Sequence, residues 1–298
     1  MNGIIPLYKP RGVTSADCVY QLRKILHEKK IGHTGTLDPE VDGVLVICVG
    51  QATKLVNRLM ISHKVYQGQI LLGQETTTED ATGEVVKQKP VDKPYSDQQI
   101  STAMLELTGN IKQQPPMFSA VKINGKKLYE YARAGQSVER PIRDVEIYQF
   151  KQTESTIFDE QLHQQTIAFE VECSKGTYIR TLAVQLGQLL QVPAHMKQLT
   201  RTKGSHFALA QTFTLEQIQA QFAHGQTDFL ISLTNLLKPL VSVDLTVNQW
   251  QVVQNGGRLK LAQNASEIIL RYQGIVKAIY RHQQDFYEPE LMLLKNDL

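Results

Sequence analysis

Two carboxylates, Asp38 and Asp42, stand four residues apart in the stretch Gly32-His33-Thr34-Gly35-Thr36-Leu37-Asp38-Pro39-Glu40-Val41-Asp42-Gly43. A fixed carboxylate can attack as a nucleophile, stabilise developing positive charge or take a proton. Two of them can divide the acid and base roles of glycosidic hydrolysis, but four residues of loop define no separation between them. On residue type alone Asp38-Pro39 is equally a turn, because Asp-Pro favours turn initiation. The next stretch of chain gives Asp38 its interest. Val44 to Val49 is a continuous apolar run suited to a fully buried strand. A polar loop entering such a strand is a place where a side chain can be held still.

The elements that must position this loop can be read from periodicity and capping. Gly3 to Leu7 is a short apolar strand running into the turn Lys9-Pro10-Arg11-Gly12. Thr14, with Asp17 three residues on, caps a helix whose Val19, Leu22, Ile25 and Leu26 form a buried stripe. Arg23, Lys24, Lys29 and Lys30 fall mostly off that stripe, as a solvated or phosphate-contacting face. Ile31 to Gly43 reads as an ordered loop. Lys64 to Gly73 is a strand of imperfect period, with Val65, Gln67, Gln69 and Leu71 on one face. Ser96 and Gln99 box the start of a helix over Ser96 to Leu107, stopped by Gly109.

Beyond it, Leu128 to Ala134 is a short helix, Arg143 to Phe150 and Thr166 to Cys173 are paired strands, and Thr177 to Leu190 and Thr214 to Phe222 are helices. Lys122, Lys126, Lys127, Arg133, Arg140 and Arg143, with Tyr129 and Tyr131 interleaved, are the most basic stretch. It suits RNA contact and a plain surface hairpin equally. After Pro239, short alternating stretches and the turn signals Asn255-Gly256-Gly257 and Gln273-Gly274 predict a small β-rich module. The boundary falls near Leu236 to Val241, giving domains over 1–238 and 239–298.

A chain of 298 residues with 42% hydrophobic residues can bury a sizeable core, and its net charge of +3 permits a polyanionic partner without requiring one. Cys18, Cys48 and Cys173 are odd in number and far apart. They support neither a disulfide framework nor a zinc site, and a reducing cytosol is expected. No apolar run is long enough for a signal peptide or a membrane-spanning helix.

Six segments in order carry a resemblance. They are Lys9-Pro10-Arg11-Gly12-Val13-Thr14-Ser15, Gly32 to Pro39 with Gly43, Lys64-Val65-Tyr66 with Leu72-Gly73, Asp80-Ala81-Thr82-Gly83, Pro115-Pro116-Met117-Phe118-Ser119-Ala120, and Ser174-Lys175-Gly176-Thr177-Tyr178-Ile179-Arg180. Together they resemble the bacterial TruB-type tRNA pseudouridine-55 synthases over roughly residues 3 to 235. The tail more weakly resembles that family's PUA module, a small β-barrel that binds RNA.

The resemblance implies an α+β fold with a mixed, mainly antiparallel central sheet flanked by helices and a cleft across its middle. It implies conversion of uridine 55 in the T-arm stem-loop of tRNA to pseudouridine, with no metal and no organic cofactor. A cytoplasmic monomer without an obligate protein partner is expected. The pattern departs in three places. Tyr8 stands where the family often has an acidic residue, Glu40-Val41-Asp42-Gly43 replaces Leu-Ala-Thr-Gly, and Leu199-Thr200-Arg201 keeps one arginine of Leu-Arg-Arg.

Carried over by motif, Asp38 is the catalytic carboxylate, and Arg180 holds its charge through a guanidinium that can pair with it bidentately. Tyr66 is the active-site tyrosine, whose ring can stack on a uracil flipped out of the loop. That stacking offsets about 1–3 kcal/mol of an unstacking cost of a few kcal/mol. His33 is the residue that fills the gap left by the extruded nucleotide. Tyr178 and Leu199 are pocket walls or, equally, core residues, and Lys9 either supports the loop or binds phosphate. A non-catalytic RNA chaperone on the same scaffold is the remaining alternative to an enzyme.

Overall fold

In the computed structural model, which describes residues 1–293, the chain begins with β1 (Gly3–Lys9), α1 (Ser15–Leu26), β2 (Ile31–His33), β3 (Asp42–Val49), a 3-10 turn (Gly50–Leu55) and α2 (Val56–Met60). It continues through β4 (Lys64–Leu72), the hairpin β5 (Gln74–Thr76) and β6 (Val85–Gln88), α3 (Asp97–Glu106), β7 (Gly109–Gln113), the hairpin β8 (Lys122–Ile123) and β9 (Lys126–Lys127), and α4 (Leu128–Arg133). Then come β10 (Arg143–Gln152), β11 (Ile157–Asp159), β12 (Gln164–Cys173), α5 (Ile179–Leu189), β13 (Ala194–Gly204), β14 (Phe207–Ala208), α6 (Leu215–Ala223) and α7 (Leu233–Leu236). The last part holds β15 (Val241–Asp244), α8 (Val247–Val253), β16 (Glu267–Tyr272), β17 (Ile275–Gln283) and β18 (Phe286–Met292).

The central sheet runs β1-β3-β13-β4-β12-β10-β7, with β2, β14 and β11 added at β3, β13 and β12. Its pairings are antiparallel except between β3 and β13. Those two run parallel through a junction of only two pairs, Thr200↔Asp42 and Arg201↔Gly43. Gly43 makes the junction possible. It sits at φ +111°, and a Cβ there would lie 2.2 Å from the Arg201 carbonyl oxygen. Because β13 engages only this end of β3, the rest of the edge is open. Ile31–His33, expected within a loop, closes it as β2 (Ile31↔Val49, His33↔Ile47).

The continuous apolar run of β3 is explained by burial on both faces. Leu45, Ile47 and Val49 join the main core with Cys18, Val19 and Leu22 of α1 and with Leu215 and Ile218 of α6. Val44, Val46 and Cys48 face a second core with Leu55, Leu59, Leu237, Ile269 and Ile279. β4 alternates more cleanly than its sequence indicates. Lys64, Tyr66, Ile70 and Leu72 point inward, so a lysine occupies a core-facing position. The capping boxes at Thr14 and Ser96 form as expected.

From Val241 the chain builds a separate four-stranded sheet, β15-β16-β17-β18. Ile269, Val276 and Ile279 pack this sheet onto the back of β1 and β3. Arg58 pairs with Glu267 across the contact, and Lys54 Nζ donates to the Met292 carbonyl at 2.7 Å. The module is not purely of strands. Thr246 and Gln249 form a capping box for α8, and Asn255-Gly256-Gly257 ends that helix instead of joining two strands. The last five residues of the 239–298 domain fall outside the described residues.

Candidate active site

The loop before β3 is pinned on both sides of Asp38. Ser15 Oγ accepts from the Leu37 amide at 2.9 Å and lies 3.2 Å from the Leu37 carbonyl. Thr34 Oγ1 pairs with Ser205 Oγ at 2.7 Å. The Val41 amide closes a turn on the Asp38 carbonyl at 3.0 Å, so the Asp-Pro turn is real and serves as the mount for the side chain. Lys9 is fully buried beneath this turn. Its Nζ donates to the carbonyls of Pro10 (2.9 Å), Val13 (2.7 Å) and Pro39 (3.0 Å), which uses all three of its hydrogens. Lys9 therefore supports the loop and has no donor left for a phosphate. This corrects its placement among the substrate-binding residues.

Arg180 lies in the first turn of α5, nearly buried. Its Nε forms an ion pair with Asp38 Oδ2 at 3.0 Å, with Asp80 Oδ2 at 3.8 Å. The two-pronged pairing expected with Asp38 does not form. Nη1 and Nη2 are committed to the carbonyls of Thr78 and Phe118, each at 2.9 Å. The guanidinium is thus fixed from three sides, while the Asp38 side chain is 42% exposed against 6% for Arg180. Oδ1 of Asp38 has no hydrogen-bond partner among the described residues and is available to the cleft.

That cleft, of about 420 Å³, is lined by Asp38, Tyr66, Tyr178, Arg180 and Leu199 together. This lies inside the roughly 300–1,000 Å³ of small-molecule sites. Tyr66 is core-facing on β4. Burial pushes its hydroxyl above the usual tyrosine range, and the positive charge of Arg201, its register partner on β13, pulls it partly back. Tyr178, the extended cap residue just before α5, is half-buried, and burial raises its hydroxyl too. His33 is not brought into this cleft. It lies on β2 beside a separate basic groove with Arg23, Lys29 and Lys30, and its Nδ1 accepts the Gly35 amide at 3.3 Å. Burial first, and then the Arg201 charge, lowers its pKa below the ordinary histidine value.

Lys64, Arg201 and Ser119 are among the wall residues that the sequence does not mark for the site. Two carried a signal, a cation at an inward position of a strand. Ser119 Oγ is buried without a hydrogen-bond partner among the described residues.

Asp42 is absent from the cleft wall. It accepts from Tyr8 Oη (2.9 Å) and Thr200 Oγ1 (2.6 Å), with Arg11 at 3.5 Å. Tyr8, Asp42 and Thr200, the three departures from the family pattern, are thus one cluster in space. Asp42 is no acid/base partner of Asp38, which removes the hydrolase arrangement. Nothing in the structure explains Glu40, which is exposed.

Residues 23–179 match the N-terminal domain model of the TruB family of pseudouridylate synthases, and residues 180–243 match the C-terminal domain model of tRNA pseudouridylate synthase B. The chain belongs to the TruB family. It is 51% identical over 298 residues to the tRNA pseudouridine synthase B of Lacticaseibacillus paracasei, covering 100% of this chain and 99% of that protein. It is 50% identical over 303 residues to that of Levilactobacillus brevis, covering 99% and 100%.

Its fold is shared with a chain in a Cbf5-Nop10-Gar1 complex (TM-score 0.69, 23% identity, 99% of this chain and 86% of that one). A chain in an H/ACA RNP bound to a substrate RNA containing 2'-deoxyuridine has a TM-score of 0.68 at 21% identity, with 99% and 86% covered. The second TruB model ends at residue 243, inside β15, so most of the C-terminal sheet lies beyond both models. No helix among the described residues is long and apolar enough to cross a membrane.

Proposed function

We propose that this TruB-family chain isomerises uridine 55 in the T-arm loop of tRNA to pseudouridine, with Asp38 as the catalytic carboxylate. In the balanced reaction the C1'–N1 bond of the nucleotide breaks, the uracil turns in place and a C1'–C5 bond forms. C5 loses its proton and N1 gains one. The observation that carries the reading is the asymmetric hold on Asp38, with Oδ2 on a buried arginine and Oδ1 free in a cleft floored by Tyr66. Attack as a nucleophile, stabilisation of charge at C1' and removal of a sugar proton all need such an oxygen. The Arg180 guanidinium holds the carboxylate's charge and direction while its second oxygen works.

Tyr66 offers the stacking face for the flipped uracil. Tyr178 and Leu199 confine it. His33, outside the cleft, fills the position that the flipped nucleotide leaves. The sheet from Val241 acts as a PUA-like RNA-binding module attached to a catalytic domain that ends near residue 238. The protein works as a cytoplasmic monomer on tRNA alone.

The test is incubation with unmodified tRNA transcript, with pseudouridine then mapped at each position. The expected product is pseudouridine at position 55 only. Asp38→Asn should bind the RNA with unchanged affinity and form no product, and substantial product from that variant would falsify the assignment.

A further inference from the structure

The end of the cleft away from Arg180 carries two buried cations that no carboxylate answers. Lys64 is 8% exposed and Arg201 3%. Lys64 Nζ donates to the carbonyls of Met60 (2.9 Å) and Ser62 (2.8 Å), which leaves one of its three hydrogens. Arg201 Nε donates to the Val44 carbonyl at 2.7 Å and Nη2 to that of Gly35 at 3.1 Å, Nη1 donates to no backbone carbonyl among the described residues, and the guanidinium also meets the Tyr66 hydroxyl on the cleft floor.

The Arg201 guanidinium and the end of the Lys64 stem both approach Gly35. A Cβ on Gly35 would lie 3.6 Å from Arg201 Nη1 and 4.0 Å from Lys64 Cε. The missing side chain is what leaves the space between them open. Burying such charges without a counterion is costly. Lys64 shows the strain, since burial first, and then Arg201 and Lys175, bring its pKa down to about 8. Its register neighbour Cys173 offers no compensating charge, because burial holds that thiol at about 11.

We propose that Lys64 and Arg201, both beside Gly35 in the cleft wall, form an anion site that takes a backbone phosphate next to the flipped uridine. The inference rests on the functional reading above, since the only anion an RNA substrate brings to the cleft is its phosphodiester backbone. Continuity supports it. Met60 and Lys175 line both this cleft and the adjoining groove, where Lys54, Arg58 and Lys203 lie. A strand leaving the site at this end meets more cations than carboxylates, since only Glu172 and Glu290 among that groove's lining residues are acidic, although Arg58 is itself paired with Glu267.

The test uses a T-arm stem-loop RNA carrying one uncharged methylphosphonate at either linkage flanking the target uridine, with affinity measured against salt concentration. At one of the two linkages the wild-type protein should lose about tenfold in affinity, the worth of one charged hydrogen bond. Lys64→Met should show the same loss on unmodified RNA and less than about twofold more on that methylphosphonate RNA. Its slope of log affinity against log salt should be smaller by about 0.7.

Gly35→Ala adds a methyl at ordinary contact distance, so the fold is kept while the space between the cations is narrowed, and the same non-additive pattern is expected. Equal methylphosphonate penalties in wild type and Lys64→Met at both linkages, or an unchanged salt slope, would overturn the proposal. A wild-type protein that binds this RNA but converts none of it overturns the functional reading instead, since the affinity comparison does not depend on product.

Discussion

The two ends of the cleft are built from the same material and differ in one respect. Arg180 and Arg201 are both buried, and each donates two N–H groups to backbone carbonyls. At the Arg180 end a carboxylate stands 3.0 Å away, while the Arg201 end has a second cation, Lys64, and no carboxylate. An arginine held by carbonyls is a fixed donor whose charge is still unspent. Where Asp38 supplies the counter-charge, an oriented carboxylate faces the cleft, the group we propose for the chemistry. Where nothing supplies it, the protein has a vacancy for an anion. The contrast separates chemistry from substrate positioning inside a single cleft, and it can be broken from either side.

The largest effect should come from Arg180→Lys. A lysine cannot reach Thr78, Phe118 and Asp38 at once, so Asp38 loses its orientation. Single-turnover product formation should fall about 100-fold, in the range seen when one preorganised donor is removed. RNA affinity should stay within about threefold, because Arg180 is too buried to meet the strand. Unchanged turnover would take Arg180 out of the chemistry and collapse the distinction between the ends.

Gly43→Ala attacks the joint that the two ends share. The loop of Asp38 enters β3 here, and Arg201 pairs with Gly43 itself. With φ at +111° and a carbonyl 2.2 Å from the new Cβ, either the backbone or the β3–β13 junction must give. A loss of about 2–3 kcal/mol in urea unfolding is expected. A variant as stable as wild type would show that the parallel junction does not depend on this approach.

A change of pH should strip charge from one end only. Lys64, at about 8 in the folded protein against an ordinary 10.5, loses its proton first. Above pH 8 kcat/KM should therefore fall, by about tenfold by pH 9, as the free enzyme's cation disappears. Lys64→Arg keeps a charge at this position and should move that limb to higher pH. Stability should run the other way. Between about pH 8 and 10.5 the unfolded chain binds the extra proton, so the Lys64 contribution to stability rises with pH. The difference in stability between wild type and Lys64→Met reads this directly, and a fall in the Lys64 contribution over that window would exclude a desolvated amine.

Much of this was legible in the chain before its structure. Capping boxes at Thr14 and Ser96, the apolar run of β3 and the six ordered motifs lead to the sheet and to Asp38, Tyr66 and Arg180. Local chemistry was legible because it is written in neighbouring residues. What could not be read was which partner each charge would find across the fold. Lys9 and Lys64 are both motif lysines, yet one spends every hydrogen on carbonyls and the other keeps one for the cleft. The two-pronged Arg180–Asp38 pair was expected from guanidinium geometry and lost to the carbonyls of Thr78 and Phe118, which come from distant loops. His33 belongs to β2 because β3 has an open edge, a fact of sheet order and not of its own segment. Of the two turn signals in the tail, Gln273-Gly274 does join two strands, whereas Asn255-Gly256-Gly257 ends a helix that Thr246 and Gln249 already mark.

The smallest effect is expected at Asp42, which touches neither end. It differs from the family pattern together with Tyr8 and Thr200, and those two residues hold it at 2.9 and 2.6 Å. A carboxylate satisfied by a tyrosine, a threonine and the nearby Arg11 is a strut between β1, β3 and β13. Asp42→Asn keeps one acceptor oxygen, so about 1 kcal/mol of stability should be lost and turnover should change by less than about twofold. Were Asp42 instead the acid or base partner of Asp38, loss of a positioned proton donor or acceptor would cost about 10²–10⁴-fold, and free uracil would be a product. Measuring pseudouridine and released uracil side by side for this one variant therefore decides whether the cleft works with one carboxylate or two. The hydrogen bonds around Asp42 say one.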